Sequence, residues 1–107
     1  MESYILNANG EPEHCGDLRA WGEWMKGAEA RRVGLTEFDG GRVSTVFLGL
    51  DHRFTNSGEP ILWETMIFGG PHDGYQDRYT SRQDAEHGHA KAVALAMEAP
   101  LVPSSEE

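Results

Sequence analysis

Two apolar segments decide the fold of this chain: Val43-Ser-Thr-Val-Phe-Leu-Gly-Leu50 and Ile61-Leu-Trp-Glu-Thr-Met-Ile-Phe68. Both are rich in the β-branched and aromatic residues that suit a pleated, buried surface. The polar loop 51–60 between them contains Asn-Ser-Gly, which is turn chemistry. The pattern predicts a long β-hairpin over residues 42–68, on which the rest of the chain packs.

Helical patterns lie on both sides of this hairpin. We predict a first helix over residues 18–31 with Asp17 as its N-cap, and a second that begins near Thr80 or Ser81 and ends at Pro100. At about 100° per residue, small residues and one histidine share a face of the second helix: Ala85, Gly88, His89, Ala92, Ala96 and Ala99. Such a face would let the helix lie close to a sheet.

Two further strands complete the predicted fold. Tyr4–Leu6 predicts a short strand that runs into a turn at Asn9-Gly10, where Pro12 restricts any returning strand to an edge. Arg32–Phe38 predicts an outer strand, whereas residues 72–79 predict a polar loop. The fold class is therefore α+β, a small antiparallel sheet in the order β-α-β-β-β-α with both helices packed on one face.

Composition indicates a soluble protein with a single domain over residues 1–100 and a flexible acidic tail over 101–107. The chain has 107 residues, of which 38% are hydrophobic and 25% charged, as in globular proteins. It shows neither an apolar run of about 18 residues nor the basic, apolar start of a signal peptide, and Cys15 is its single cysteine. We therefore expect a cytoplasmic protein that does not bind membranes.

The net charge is −9, from 18 acidic and 9 basic side chains. This balance argues against direct nucleic-acid binding, because Lys and Arg supply the affinity for a phosphate backbone. It permits steering onto a basic surface of another protein, such as a nucleic-acid groove. The same charge would also simply keep a small protein soluble.

A polar seam is expected where the hairpin meets the second helix. Asp51 and His52 follow one arm, Glu64 interrupts an apolar face of the other, and His89 lies on the small-residue face of the helix. A buried carboxylate without a partner costs several kcal/mol, so an inward Glu64 should be paired, with Arg78, His52 or His89 as donor. The same groups could instead form a ligand or substrate site.

Motifs for metal binding or catalysis are weak. His87 and His89 diverge by about 200° on a helix, so they cannot both face one ion, and no ligand pair has zinc-site spacing. No nucleophile stands beside a base, and the glycine-rich turns lack phosphate-loop spacing. We assign no catalytic residue, metal or cofactor, and enzymatic activity stays open. Phe54 and Tyr75, aromatic residues in polar loops, are candidates for contact with a partner protein.

Four motifs stand out along the chain: residues 43–52, residues 64–70, Arg78-Tyr79 and Ala85-x-x-Gly88-His89. Together they resemble a family of small proteins from tailed bacteriophages and prophages. The resemblance implies a phage-encoded accessory protein in the host cytoplasm, without implying an activity. It also selects a set of candidate residues: Asp51, His52, Glu64, Arg78, Tyr79 and His89.

We therefore expect an acidic interaction protein that binds a host or anti-phage defence protein, in the manner of anti-CRISPR or nucleic-acid-mimicking inhibitors. The alternative is a small-molecule or nucleotide-binding protein, or an enzyme, whose polar side chains converge on an open pocket. Those side chains would be Asp51, His52, Glu64, Arg78 and His89. A homodimer built through the outer strand is a third reading.

Overall fold

The computed structural model describes residues 2–53 and 58–98; the acidic tail, Ala99, Pro100 and Phe54 lie outside these ranges. Within these ranges nine elements follow one another. They are β1 (Tyr4–Leu6), β2 (Pro12–His14), α1 (Leu18–Met25), α2 (Ala28–Arg31), β3 (Arg32–Phe38), β4 (Gly41–Phe47), β5 (Trp63–Gly69), β6 (Gln76–Tyr79) and α3 (Arg82–Ala96).

The central sheet has four antiparallel strands in the order β3-β4-β5-β6. The predicted hairpin is confirmed as β4 and β5, which pair Thr45 with Thr65 and Val43 with Ile67. Both strands are shorter than predicted, because regular pairing ends at Phe47 and Trp63. The prediction of an outer strand is also confirmed, since β3 forms one edge of the sheet.

One face of this sheet is covered by α3, which contacts all four strands. The buried side chains of the face come from alternate positions of the two central strands, as period-2 geometry requires: Val43, Thr45, Phe47, Trp63, Thr65 and Ile67. On the helix side the buried residues are Ala85, Gly88, Ala92 and Ala96. The predicted small-residue face of the last helix is therefore confirmed for the described residues.

Helix α1 lies on the same side of the sheet as α3. The Trp24 ring meets Phe47 edge-on at 5.7 Å between centroids, and Trp21 Nε1 donates to the carbonyl of Gly49 at 3.1 Å. Gly49 has φ +79°, a conformation that side chains with a Cβ rarely adopt, and a Cβ there would also lie 2.6 Å from Met25 Sδ. The α+β class with helices packed on one face is thus confirmed.

The predicted helix over residues 18–31 is wrong in its length. Asp17 caps α1 as expected, accepting from the backbone N–H of Arg19 at 3.0 Å and of Ala20 at 3.2 Å. Gly27, with φ −80° and ψ 84°, then interrupts the helix before the four residues of α2. Glycine lowers helix stability, so the chain bends where its intrinsic preference is weakest.

The predicted loop over residues 72–79 is also wrong in part, because Gln76–Tyr79 forms strand β6. Its register with β5 pairs Tyr79 with Trp63 and Arg78 with Glu64. A further strand, β2, follows the turn in which Gly10 N–H donates to the carbonyl of Asn7, and it pairs with β1. β1 and β2 therefore form a second, two-stranded sheet that was not predicted. Helix α3 is capped by Ser81, whose Oγ accepts from Asp84 N–H at 3.0 Å.

None of the helices in residues 2–53 and 58–98 is both long enough and apolar enough to cross a membrane.

Candidate functional site

His89 lies on the sheet-facing side of α3, and both of its ring nitrogens are in hydrogen bonds. Nδ1 lies 2.7 Å from Thr45 Oγ1 on β4, and Nε2 lies 2.9 Å from Thr36 Oγ1 on β3. Thr45 Oγ1 in turn lies 2.5 Å from Thr65 Oγ1 on β5. We name these four residues, Thr36, His89, Thr45 and Thr65, the threonine line. A neutral imidazole donates through one nitrogen and accepts through the other, so the line is satisfied without a charge.

The ring of His89 fits because β3 carries Gly34 beside it. A Cβ at position 34 would lie 2.9 Å from His89 Nε2, too close for any other residue without movement of the ring. Burial lowers the pKa of His89, since the imidazolium would lose hydration in this half-covered position. Glu64, for which His89 was one predicted donor, does not take part, and uncharged hydroxyls satisfy the histidine instead.

Tyr79 lies beside the threonine line under the first turns of α3. Gly88 packs directly on its ring, and a Cβ at position 88 would lie 2.5 Å from Tyr79 Cε1 and closer to the hydroxyl. Tyr79 Oη and Trp63 Nε1 are buried polar atoms without a hydrogen-bond partner among the described residues. Burial raises the pKa of the Tyr79 phenol.

Glu64 faces the opposite side of the sheet from His89, contrary to the expected seam. Arg78 Nε donates to Glu64 Oε2 at 2.9 Å, and the side-chain amide of Gln76 donates to the same oxygen. The two charged residues are direct neighbours across β5 and β6, which explains the pair. Of the three donors considered for Glu64, Arg78 is the one in place.

Asp51 is buried, at 7% exposure, and joins the two ends of the loop that follows β4. Its Oδ1 accepts from the backbone N–H groups of Arg53 and Ile61, each at 3.0 Å, and its Oδ2 accepts from Arg53 Nε at 2.6 Å. Burial acts to raise the pKa of Asp51, but these hydrogen bonds and the guanidinium charge outweigh it and hold the pKa below its usual value. His52 Nδ1 donates to the carbonyl of Leu50 at 2.8 Å.

The six candidate residues therefore lie in three separate places. His89 and Tyr79 lie between helix and sheet, Glu64 and Arg78 lie on the far face, and Asp51 and His52 lie in the loop after β4. Within residues 2–53 and 58–98, no three His, Cys, Asp or Glu side chains are grouped as a metal site requires. Of the two aromatic candidates, Tyr75 is half-buried against the cluster around Val43 and Ile67, and Phe54 is outside the described residues.

The sheet surface turned away from α3, which we call the outer face, has a mixed character that the sequence analysis did not single out. Its side chains form rows across the strands: Arg32, Val46, Glu64 and Arg78; then Leu35, Ser44, Met66 and Gln76; then Glu37, Arg42 and Phe68. The Arg42 guanidinium lies 4.6 Å above the Phe68 ring. The sequence signal for this apolar outer face is that β4 and β5 carry apolar residues at both alternating sets of positions, so that each strand has apolar side chains on both sides of the sheet.

A groove runs between β6 and α3, on the inner side of the sheet edge that β6 forms. It consists of two adjoining cavities of about 420 Å³ and 320 Å³ that share Lys91. Asp77, Asp84 and His87 line the larger cavity, and Tyr75 and Glu98 line the smaller one. Sequence reasoning missed this groove because its strand was predicted as a loop, although Asp84, His87 and Lys91 already recur at helical spacing.

Comparison of the chain with protein-family models, curated proteins and solved structures finds no match.

Proposed function

We propose that this chain is a small acidic interaction protein that binds another protein through the outer face of its sheet. The observation that carries the proposal is the apolar centre of that face. Met66 lies between Phe68 on its own strand and Val46, which is diagonally opposite on β4, and all three side chains are partly exposed. Among the described residues no helix covers them, since α3 packs on the inner face and α1 meets the sheet at Phe47. Apolar side chains grouped on an uncovered face of a sheet are typical of binding sites.

The charges around this centre fit a protein interface. Arg32, Arg42 and Arg78 share the outer face with the carboxylates of Glu37 and Glu64, so the face is close to neutral although the chain carries −9. Interfaces are enriched in aromatic residues, methionine and arginine. The net charge then steers the chain toward a basic partner at long range, while contact at the face depends on apolar and arginine side chains.

The resemblance to bacteriophage and prophage proteins supports a host or anti-phage defence protein as the partner, met in the host cytoplasm. Direct binding of nucleic acid is not proposed, because phosphate contacts would work against the excess of carboxylates. The alternative of a ligand site or enzyme depended on the convergence of five side chains, which lie in three separate places: Asp51, His52, Glu64, Arg78 and His89.

The test compares two substitutions that add the same charge. Met66→Glu places a carboxylate in the centre of the outer face, and Ala90→Glu places one on the exposed side of α3. Wild-type protein is used to recover its partner from host lysate at low salt, and the affinity of the purified pair is measured by calorimetry. We expect Met66→Glu to bind at least tenfold more weakly, about 1.4 kcal/mol, and Ala90→Glu to bind like the wild type.

Two results would contradict the proposal: the wild type could recover nothing above background, or both variants could bind like the wild type. If Met66→Glu loses its circular dichroism spectrum, Val46→Thr replaces it as the milder change and the same comparison applies. Light scattering of the free protein adds a further check. If the wild type has twice the monomer mass and Met66→Glu has the monomer mass, the outer face binds a second copy of the chain.

A further inference from the structure

Strand β6 forms an edge of the sheet with backbone groups that face away from β5. The carbonyl of Tyr75 accepts from Ile67 N–H at 3.0 Å, and that of Tyr79 accepts from Leu62 N–H at 3.1 Å. The backbone N–H and C=O groups of the odd-numbered residues of β6 therefore face β5. In an antiparallel pair the alternate residues point the other way, which places Gln76 and Arg78 at the free edge. Among the described residues, the N–H of Arg78 donates to the carboxylate of its neighbour Asp77, at 3.0 Å.

The groove between β6 and α3 runs beside this free edge. Its helix wall is formed by Asp84, His87, Lys91 and Glu98, which lie three to seven residues apart on one side of α3 and its C-terminal turn. Residues 84–98 span about 21 Å at the helical rise. The strand wall over residues 75–80 is about 17 Å long. These dimensions match an extended peptide segment of about five or six residues.

The charges in the groove select a basic occupant. Asp77, Asp84 and Glu98 are in no ion pair within the described ranges, and Lys91 is the one lysine that lines the groove. Arg78 also borders the groove, but its charge is paired with Glu64 on the outer face. The groove therefore carries an excess of unpaired carboxylates over basic groups.

We infer that the groove between β6 and α3 binds an extended basic segment of a partner protein, which adds to the sheet as a fifth strand. The segment bonds to the edge-facing N–H and C=O groups of Gln76 and Arg78 and displaces Asp77 from the Arg78 N–H. Alternate side chains of the segment then point into the groove, where a lysine or arginine meets Asp77 and Asp84. This inference goes beyond the proposed function, because it uses a different surface and does not depend on the outer face.

A simpler role for Asp77 is protection of the edge. Charged side chains on edge strands prevent unwanted pairing between chains. In that case Asp77→Asn would increase self-association, seen as a higher mass in light scattering, and would leave peptide binding unaffected. The two roles therefore predict different results for Asp77→Asn: unchanged peptide binding if Asp77 only protects the edge, and weaker peptide binding if it contacts a basic side chain of the segment.

The experiment uses two labelled octapeptides of equal charge, one of alternating lysine and valine and one of alternating lysine and proline. Proline lacks the N–H that an added strand must donate, so the second peptide controls for simple attraction to an acidic chain. Fluorescence anisotropy should show saturable binding of the lysine–valine peptide, at least tenfold tighter than that of the lysine–proline peptide. The double variant Asp77→Asn, Asp84→Asn should bind the first peptide at least tenfold more weakly than the wild type.

Two control variants separate this groove from the rest of the surface. Glu86→Gln removes a carboxylate on the exposed side of α3, and Met66→Glu alters only the outer face; both should bind the lysine–valine peptide at least as tightly as the wild type. Equal binding of the two peptides, an unchanged affinity in the double variant, or absence of binding would overturn the inference. Loss of peptide binding in Met66→Glu would do the same, because it would place the peptide on the outer face.

Discussion

Gly88 of α3 lies directly on the phenol ring of Tyr79, with no space between them for a side chain. Glycine inside a helix costs up to about 1 kcal/mol relative to alanine, so its place here has to be explained by packing. The contact brings the helix backbone down to the edge of the sheet formed by β6. The distance between helix and sheet at this edge therefore depends on one missing methyl group.

Replacing Gly88 by alanine should destabilise the protein although alanine is the better helix former. The added Cβ would overlap the Tyr79 ring, and overpacking of this kind typically costs about 1–3 kcal/mol. The matched control is Gly22→Ala in α1, where a Cβ would meet nothing within 4 Å. That variant should be more stable by up to about 1 kcal/mol. Urea unfolding measures both, and a Gly88→Ala variant as stable as the wild type would contradict the contact.

Stability should fall in mild acid because of His89. Its pKa is lowered in the folded protein, so the unfolded chain binds more protons once the pH drops below the unfolded value of about 6.5. The free energy of unfolding then decreases with falling pH until the folded pKa is reached, by at most about 1.4 kcal/mol per pH unit. Unfolding of wild type, His89→Gln and His87→Gln between pH 5 and pH 8 isolates this effect.

In that series His89→Gln should be less stable than the wild type at pH 8, because glutamine cannot reproduce both threonine contacts, and its stability should vary less with pH. His87, which is exposed on the same helix, supplies the control. His87→Gln should retain the pH dependence of the wild type. A His89→Gln variant with the full wild-type slope would show that another group titrates.

Asp51→Asn should destabilise the protein by about 1.5–3 kcal/mol at neutral pH, the usual value for hydrogen bonds to a charged group. The substitution removes the charge that Arg53 contacts and weakens the bonds from Arg53 N–H and Ile61 N–H. Asp39→Asn, in the exposed turn between β3 and β4, should change stability by less than about 0.5 kcal/mol.

The Asp51 effect has its own pH window. Because the folded pKa is below the unfolded value of about 3.9, the stabilisation is complete above that value and is lost as the pH falls through the folded pKa. The difference between wild type and Asp51→Asn should therefore shrink below about pH 4. A difference that persists unchanged in acid would mean that the amide fails for steric reasons.

The ion pair between Glu64 and Arg78 should contribute little to stability. The Glu64 side chain is 13% exposed and that of Arg78 is 37% exposed, so solvent screens the pair in part. A double-mutant cycle with Glu64→Gln and Arg78→Gln should give a coupling of about 1 kcal/mol or less, reduced further by salt. The same cycle on Arg82 and Glu86, a more exposed pair on α3, should give a smaller value. A larger coupling for Arg82 and Glu86 than for Glu64 and Arg78 would contradict this prediction.

Periodic apolar patterns predicted much of this fold, whereas the elements without such a pattern could not be predicted. The β4–β5 hairpin and the small-residue face of α3 follow from periods of two and of 3.6 residues. β6 could not be found this way, because Gln76, Asp77 and Arg78 are polar on both faces and become a strand only by pairing with β5. Local propensity carries no information about such a partner.

The candidate site failed for a related reason. Both faces of β4 and β5 contain apolar residues, so the sequence alone could not decide which face the helix covers. The face with Thr45 and Thr65 is covered, and the face with Glu64 is open. The helical period predicts His89 on the inner side of its helix, which the structure confirms, but it gives no sign of the threonine partners, because threonine is common in any strand.

The threonine line also has a consequence for how the strands find their alignment during folding. It joins β3, β4 and β5 to α3 through directional bonds. A slip of β3 by one residue would present Leu35 or Glu37 to the imidazole in place of Thr36, and every side chain of the strand would exchange faces. A purely hydrocarbon interior would tolerate some shifted pairings of the strands. In this protein a shifted pairing breaks a bond of the threonine line and leaves a buried hydroxyl or ring nitrogen without a partner. The histidine thus selects one alignment of the strands against its near neighbours.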